Sequence, residues 1–149
     1  MILSNLNNLY SKSVLNIPLM VLLLLNIKVN ATHLIIPMDE VQKNHLKSYG
    51  IAFYALESKL EVDWLLNYRG GSFALKLNDK ILKECKVRGV SFEIIADIQY
   101  NKIVADVTKP EVNQDVMKLE KAPKIAVYSP KNKQPWDDAV TLVMTYAEI

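Results

Sequence analysis

The chain has 149 residues, of which 50% are hydrophobic and 23% are charged, with only 4 glycines and 6 prolines. This composition is typical of one globular domain and excludes an intrinsically disordered chain. The 18 basic and 16 acidic residues leave a net charge of +2, which lacks the basic footprint that sequence-independent nucleic-acid binding needs. One cysteine and two histidines exclude an intramolecular disulfide and leave too few ligands for a zinc cluster. We therefore expect neither a metal nor another cofactor.

The N-terminal segment, residues 1–31, has the layout of a signal peptide. A polar start precedes an apolar run over residues 14–25, which is interrupted by Asn16 and Pro18. A membrane-spanning helix needs about 20 apolar residues, so this run favours a leader over an anchor. Ala31 follows as a small residue that signal peptidase accepts before its cut, which predicts cleavage after Ala31.

The mature chain is then expected to be exported to the periplasm or the extracellular space. No cysteine lies near the predicted cleavage point, so attachment through a lipidated thiol is not expected. Removing residues 1–31 also removes Lys12 and Lys28, and the remainder carries 16 residues of each sign. Overall charge is therefore no basis for partner choice, and we expect no stable membrane span after cleavage. The alternative is an uncleaved signal anchor or a buried N-terminal helix.

The first half of the mature chain predicts one helix and two strands. Apolar spacing from Asp39 onwards predicts a helix that Asp39 caps, with Gln42 in the position of a capping box. The alternating segment Leu60–Tyr68 predicts a half-buried strand, and Phe73–Leu77 predicts a second one. The glycine pair within Arg69–Ser72 separates them and is the densest breaker signal in the chain.

The next stretch is less regular. Asn78 or Asp79 can cap a helix that runs to about Lys86 and ends at Gly89. Val90–Ile95 predicts a strand, whereas residues 96–107 have no clear period. Residues 111–119 predict a short polar helix.

The last unit predicts a strand over Lys124–Ser129, a loop, and a helix over Trp136–Glu148. Continuous apolar strands are typical of parallel sheets covered on both faces, and the crossover helix of such a sheet leads into a further strand. The pattern therefore predicts the N-terminal part of a mostly parallel three-layer α/β domain that is incomplete in this chain. The alternative is a small α+β domain that ends on a helix.

Four segments carry a resemblance to one family. Residues 38–56 and residues 62–73 (VDWLLNYRGGSF) resemble the start of a bacterial exported family labelled asparagine synthetase B. Residues 122–130 (APKIAVYSP) and 136–142 (WDDAVTL) are similar to a later part of that family. The resemblance implies an α/β architecture and a polypeptide that continues past the point equivalent to Ile149. It favours a truncated, non-catalytic front portion of a longer protein.

The chemistry of the family label is absent from these residues. A glutamine-dependent asparagine synthetase needs a cysteine directly after the initiator and a Ser-Gly-Gly-Xaa-Asp-Ser phosphate loop. The second residue is Ile2, Cys85 is internal, and Gly70-Gly71-Ser72 is not followed by Asp-Ser. The resemblance therefore implies family and architecture but no catalytic residue, and the chain holds no complete catalytic constellation.

The best candidate binding segment is Arg69-Gly70-Gly71-Ser72. Paired glycines let backbone N–H groups approach an anion, and an arginine holds a carboxylate or phosphate through two parallel hydrogen bonds. Ligands of open α/β sheets gather beyond the carboxyl ends of strands. This segment predicts a small anionic ligand, and with it an alternative function as a periplasmic binding or interaction module. The structural alternative is a tight turn with Gly71 at positive φ and Arg69 in solvent.

His45 is a secondary candidate, as a general base beside Asp39 or Asp63. Asp39 and His45 are six residues apart and do not share a helical face, so a partly buried structural histidine is the alternative. His33 adjoins the predicted cleavage point and is expected to lie in a mobile terminus.

Overall fold

A five-stranded antiparallel sheet organises residues 31–128 and 139–149, which are the parts of the chain that the computed structural model describes. The strands are β1 (Ala31–Ile36), β2 (Val62–Leu66), β3 (Ser72–Lys76), β4 (Glu93–Ala96) and β5 (Asp115–Leu119). Their order in the sheet is β4-β1-β3-β2-β5, and every neighbouring pair is antiparallel. The mixed α/β class is confirmed, whereas the predicted mostly parallel sheet is wrong.

β1 carries apolar side chains on both faces of the sheet, although it pairs antiparallel with β3 and β4. Leu34 and Ile36 pack on one face of the sheet and Ile35 packs on the other, so both faces of an antiparallel strand are covered. β2 and β3 are joined by a short turn, which antiparallel strands allow and parallel strands do not.

Helices cover both faces. They are α1 (His45–Glu57), α2 (Asp79–Arg88), α3 (Asp97–Val107) and α4 (Ala139–Ala147). α1 and α2 pack on one face through a cluster that includes Ile51, Ala55, Ile81 and Cys85. α3 packs on the other through Tyr100 and Ile103.

The helix starts follow local capping, in one case at an unexpected residue. The side chain of Asn78 accepts hydrogen bonds from the first turn of α2, and Gly89 ends that helix with φ of 69°, both as predicted. α1 begins at His45, because the side chain of Asn44 accepts a hydrogen bond from Lys47 N at 3.1 Å. The predicted cap at Asp39 is therefore wrong.

Three further segments differ from the prediction or had no clear one. The predicted polar helix over residues 111–119 is wrong, because Asp115–Leu119 pairs with β2 as strand β5. Residues 96–107, which had no clear period, contain α3. Residues 124–128 form no strand, contrary to the prediction, and no described strand pairs with them. Ser129 lies outside the described residues.

α4 is docked at one end. Ala147 in its last turn is buried, whereas Val140 in its first turn is 55% exposed. A Cβ atom on Gly50 of α1 would lie 1.7 Å from the Ala147 carbonyl oxygen, so only glycine permits this approach. The predicted helix start at residues 136–138 and residues 1–30 of the predicted leader over residues 1–31 lie outside the described residues. None of the described helices is long and apolar enough to cross a bilayer.

Candidate functional site

The loop between β2 and β3 is a strained turn that packs backbone to backbone against the segment after β1. Asn67, Arg69, Gly70 and Gly71 all have positive φ, and Arg69 adopts φ 47° and ψ 48°. Met38 N donates to the Arg69 carbonyl oxygen at 3.1 Å. A Cβ atom at position 70 would lie 2.3 Å from the Met38 carbonyl oxygen, which explains the glycine there.

The Arg69 guanidinium bridges two carboxylates. Its Nε lies 2.7 Å from Asp39 Oδ2, and its Nη1 lies 2.8 Å from Glu93 Oε1. The hydrogen bond with Asp39 lowers the pKa of that carboxyl group and raises the pKa of Arg69. The side chain of Arg69 is 26% exposed, so it is not the freely solvated arginine of the turn alternative. An anionic ligand at Arg69 would have to compete with both carboxylates.

Gly71 and Ser72 of the predicted binding segment also have structural contacts. Gly71 accepts a hydrogen bond from Trp64 Nε1 at 3.1 Å through its carbonyl oxygen. Ser72 is buried, and its hydroxyl donates to the Arg69 carbonyl oxygen at 3.3 Å. Anion binding by this segment stays a prediction. The ion pairs of Arg69 link the loop to β4 through Glu93 and to the segment after β1 through Asp39.

Among the described residues, His45 makes no hydrogen bond to either of the carboxylates proposed to orient it. His45 begins α1, and its Nε2 lies 3.2 Å from the Met38 carbonyl oxygen. Asp39 binds Arg69, and Asp63 accepts a hydrogen bond from Tyr100. The contacts of His45 are those of a structural histidine that holds the start of α1 against the segment after β1.

Arg69→Ala is expected to lower the free energy of unfolding more at neutral pH than in acid. Because folding lowers the pKa of Asp39, its interaction with Arg69 stabilises the fold above the unfolded pKa of about 3.9 and is lost as the pH falls through the folded value. Urea denaturation at several pH values measures this difference. Lys83→Ala, on the exposed face of α2, serves as the control. A deficit in Arg69→Ala that is the same at every pH would contradict the argument.

A second cluster of polar side chains lies at one end of the sheet, on the face that α3 covers. His33 is in β1 and is buried, so the predicted mobile terminus is wrong. Its Nδ1 lies 2.9 Å from Asp97 Oδ1, and its ring stacks on Tyr100 with centroids 4.0 Å apart. The Tyr100 hydroxyl donates to Asp63 Oδ2 at 2.6 Å, and burial raises the pKa of that phenol.

This cluster borders an open cleft of about 510 Å³. The cleft is lined by His33, Lys59, Leu60, Glu61, Asp63, Leu75, Lys76, Tyr100 and Lys118. Sequence analysis missed it because its members come from five elements and the loop after α1. The one usable signal was the three-residue spacing of Asp97 and Tyr100, which places both on one face of α3.

Within residues 31–128 and 139–149, no three His, Cys, Asp or Glu side chains gather as a metal site. No protein-family profile, curated protein or solved structure matches this chain. The resemblance to the exported family labelled asparagine synthetase B therefore stays a prediction.

Proposed function

We propose that residues 32–149 are the front portion of a longer exported α/β protein of the asparagine synthetase B-like family, and that they supply no complete catalytic centre. The observation that carries the proposal is a set of exposed apolar side chains in residues 125–128 and in α4. They are Ile125, Val127, Tyr128, Val140, Leu142, Val143 and Tyr146.

The exposure is large for residues of this type. Tyr128 is 87% exposed and Leu142 is 67% exposed. Large exposed apolar patches on soluble domains mark contacts with another surface. Residues 124–128 have the composition of a strand and α4 that of a packed helix, so further strands of a longer polypeptide are the proposed contact.

The docking of α4 agrees with this proposal. Its last turn is held by Glu148, whose carboxylate lies 3.3 Å from Lys47 Nζ and 3.1 Å from Arg88 Nε. The Tyr146 hydroxyl accepts a hydrogen bond from Asn44 Nδ2 at 2.7 Å. These contacts fix one end of the helix and leave the apolar side chains of its first two turns for another partner.

Export is proposed from the leader, and the position of β1 is compatible with it. A cut after Ala31 removes one residue of β1 and its pairing with Ala96 of β4, whereas the pairing of β1 with β3 starts at His33. Cleavage would therefore leave that pairing intact. The alternative module built on Arg69 gains no support from a guanidinium that two carboxylates already bind.

Val127→Lys and Leu142→Lys are expected to reduce self-association of residues 32–149, because each places a charge on the exposed apolar side chains. Sedimentation velocity and binding of the dye ANS measure the effect. Val87→Lys is the matched control, since Val87 is 71% exposed but lies on α2. A monomeric, cooperatively melting native fragment without dye binding would contradict the proposal.

The reading frame gives a direct test. Sequencing of the coding DNA beyond the codon for Ile149 is expected to find an open frame, or one that resumes after a single frameshift or stop. A clean stop followed by unrelated sequence would contradict the proposed longer protein.

A further inference from the structure

We propose that the cleft beside His33 binds a small molecule through an oxyanion, either a carboxylate or a phosphate group, which His33, Lys59 and Lys76 hold. This site is distinct from the Arg69 loop and goes beyond the proposed function, because it assigns a ligand chemistry to the front portion itself.

The first step is the orientation of His33. Its Nδ1 lies 2.9 Å from Asp97 Oδ1 and 3.1 Å from the Thr32 hydroxyl oxygen, and the Thr32 hydroxyl also donates to Asp97. Stacking on Tyr100 at 4.0 Å fixes the plane of the ring. Among the described residues, Nε2 has no hydrogen-bond partner, and His33 lines the cleft. Nε2 can donate a hydrogen bond to an anion when the imidazole ring carries both protons. When the ring is neutral, Nε2 can accept a hydrogen bond from a P–OH or carboxylic O–H group of the ligand.

The second step is the charge that remains in the cleft. Lys118 Nζ lies 2.8 Å from Glu61 Oε2, and Asp63 accepts from the Tyr100 hydroxyl, so both acidic lining groups already have partners. Lys59 and Lys76 have no carboxylate within 4.0 Å among the described residues. Lys59 and Lys76, which have no ion-pair partner among the described residues, therefore line the same cleft. With Lys118 they give the lining three basic side chains against the two acidic ones of Glu61 and Asp63.

The sheet register brings one of these lysines close to His33. His33 in β1 pairs directly with Lys76 in β3. Directly paired residues of antiparallel strands project from the same face, with Cβ atoms about 5 Å apart. The imidazole and the Lys76 stem are therefore neighbours at the end of the cleft.

The third step is the backbone of Lys59. α1 ends with Lys59 N bonded to the Leu56 carbonyl oxygen and Leu60 N bonded to the Ala55 carbonyl oxygen, both at 3.0 Å. This termination places a residue in the left-handed region, where glycine is preferred, and Lys59 has φ 61°. Non-glycine residues in that conformation are strained and cluster at ligand sites. In the proposed site, the lysine at this strained position contributes its positive charge to the lining of the cleft.

The test uses the full chain labelled with ¹³C in its histidine rings, because His33 and His45 are the only two histidines. Inorganic phosphate and sodium acetate are the probes, and sodium chloride at matched ionic strength is the control salt. We expect one of the two oxyanions to shift the His33 ring signals saturably while the His45 signals stay in place. The oxyanion that binds with the higher affinity shows whether the site prefers a phosphate or a carboxylate group.

Variants separate binding from folding. Lys76→Gln is expected to lower the affinity for the oxyanion about tenfold, which corresponds to about 1.4 kcal/mol of binding free energy. Lys83→Gln, on α2, is expected to leave this affinity unchanged. Lys59→Gly is expected to weaken binding while raising the thermal midpoint, because glycine relieves the strained φ. If Lys59 has only a structural role, Lys59→Gly would raise the thermal midpoint without changing the affinity for the oxyanion. That result would overturn the assignment of Lys59 to the binding site.

Three results would overturn the site itself. They are the absence of a saturable His33 shift with either oxyanion, equal shifts of His33 and His45, and a chloride titration that reproduces the phosphate effect.

Discussion

Gly70→Ala is expected to destabilise the protein by about 3–5 kcal/mol, at the upper end of single substitutions. Gly70 has φ of 80°, and a new Cβ atom would lie 2.3 Å from the Met38 carbonyl oxygen and 2.7 Å from its carbon. Both neighbours are backbone atoms, so the loop or the segment after β1 must move. That movement breaks the hydrogen bond from Met38 N to Arg69 and pulls Arg69 away from Asp39.

Gly89→Ala is the matched control for this prediction. Gly89 also has positive φ, at 69°, but no heavy atom lies within 4 Å of the position that its new Cβ atom would take. Only the conformational cost of about 1 kcal/mol applies there. Urea denaturation of both variants compares the two effects, and equal losses would show that the contact with Met38 does not matter.

Gly50→Ala is expected to release α4, with a loss of about 3 kcal/mol. The added Cβ atom would overlap the Ala147 carbonyl oxygen at 1.7 Å, so the last turn of α4 cannot stay against α1. The contacts of Glu148 with Lys47 and Arg88 would be lost together. Limited proteolysis within residues 139–149 and urea denaturation measure the release.

Helix propensity alone predicts the opposite sign for this substitution. Alanine stabilises a helix interior by about 1 kcal/mol relative to glycine. In a chain that lacks residues 139–149, Gly50→Ala should therefore stabilise the fold. If the substitution stabilises the chain with and without α4, the docking of α4 on Gly50 is refuted.

Local signals predict the elements whose boundaries depend on local contacts. Asn78 and Gly89 delimit α2 through hydrogen bonds within a few residues, and the breaker at residues 69–72 separates two strands. Residues 111–119, which contain β5, resemble a helix in sequence because Val112, Val116 and Leu119 fit helical spacing. The pairing of β5 with β2, which lies far earlier in the chain, decides the conformation instead.

The candidate sites depend on contacts that no local pattern contains. The sequence places Arg69 correctly in a turn, but its two carboxylate partners lie 30 and 24 residues away along the chain. Thr32 and Asp97 are 65 residues apart, and they meet because β1 and β4 are neighbours in the sheet. That strand order is not predictable from apolar periodicity, so the cleft beside His33 was missed.

The buried position of Cys85 makes this side chain a natural probe for transient opening of the folded core. This thiol is fully buried between α2 and the sheet, and burial raises its pKa to about 11. A thiol in that state reacts with an alkylating reagent only when the core opens. Since the chain has one cysteine, the rate at which Cys85 is alkylated measures how readily the core opens, and no label needs to be engineered.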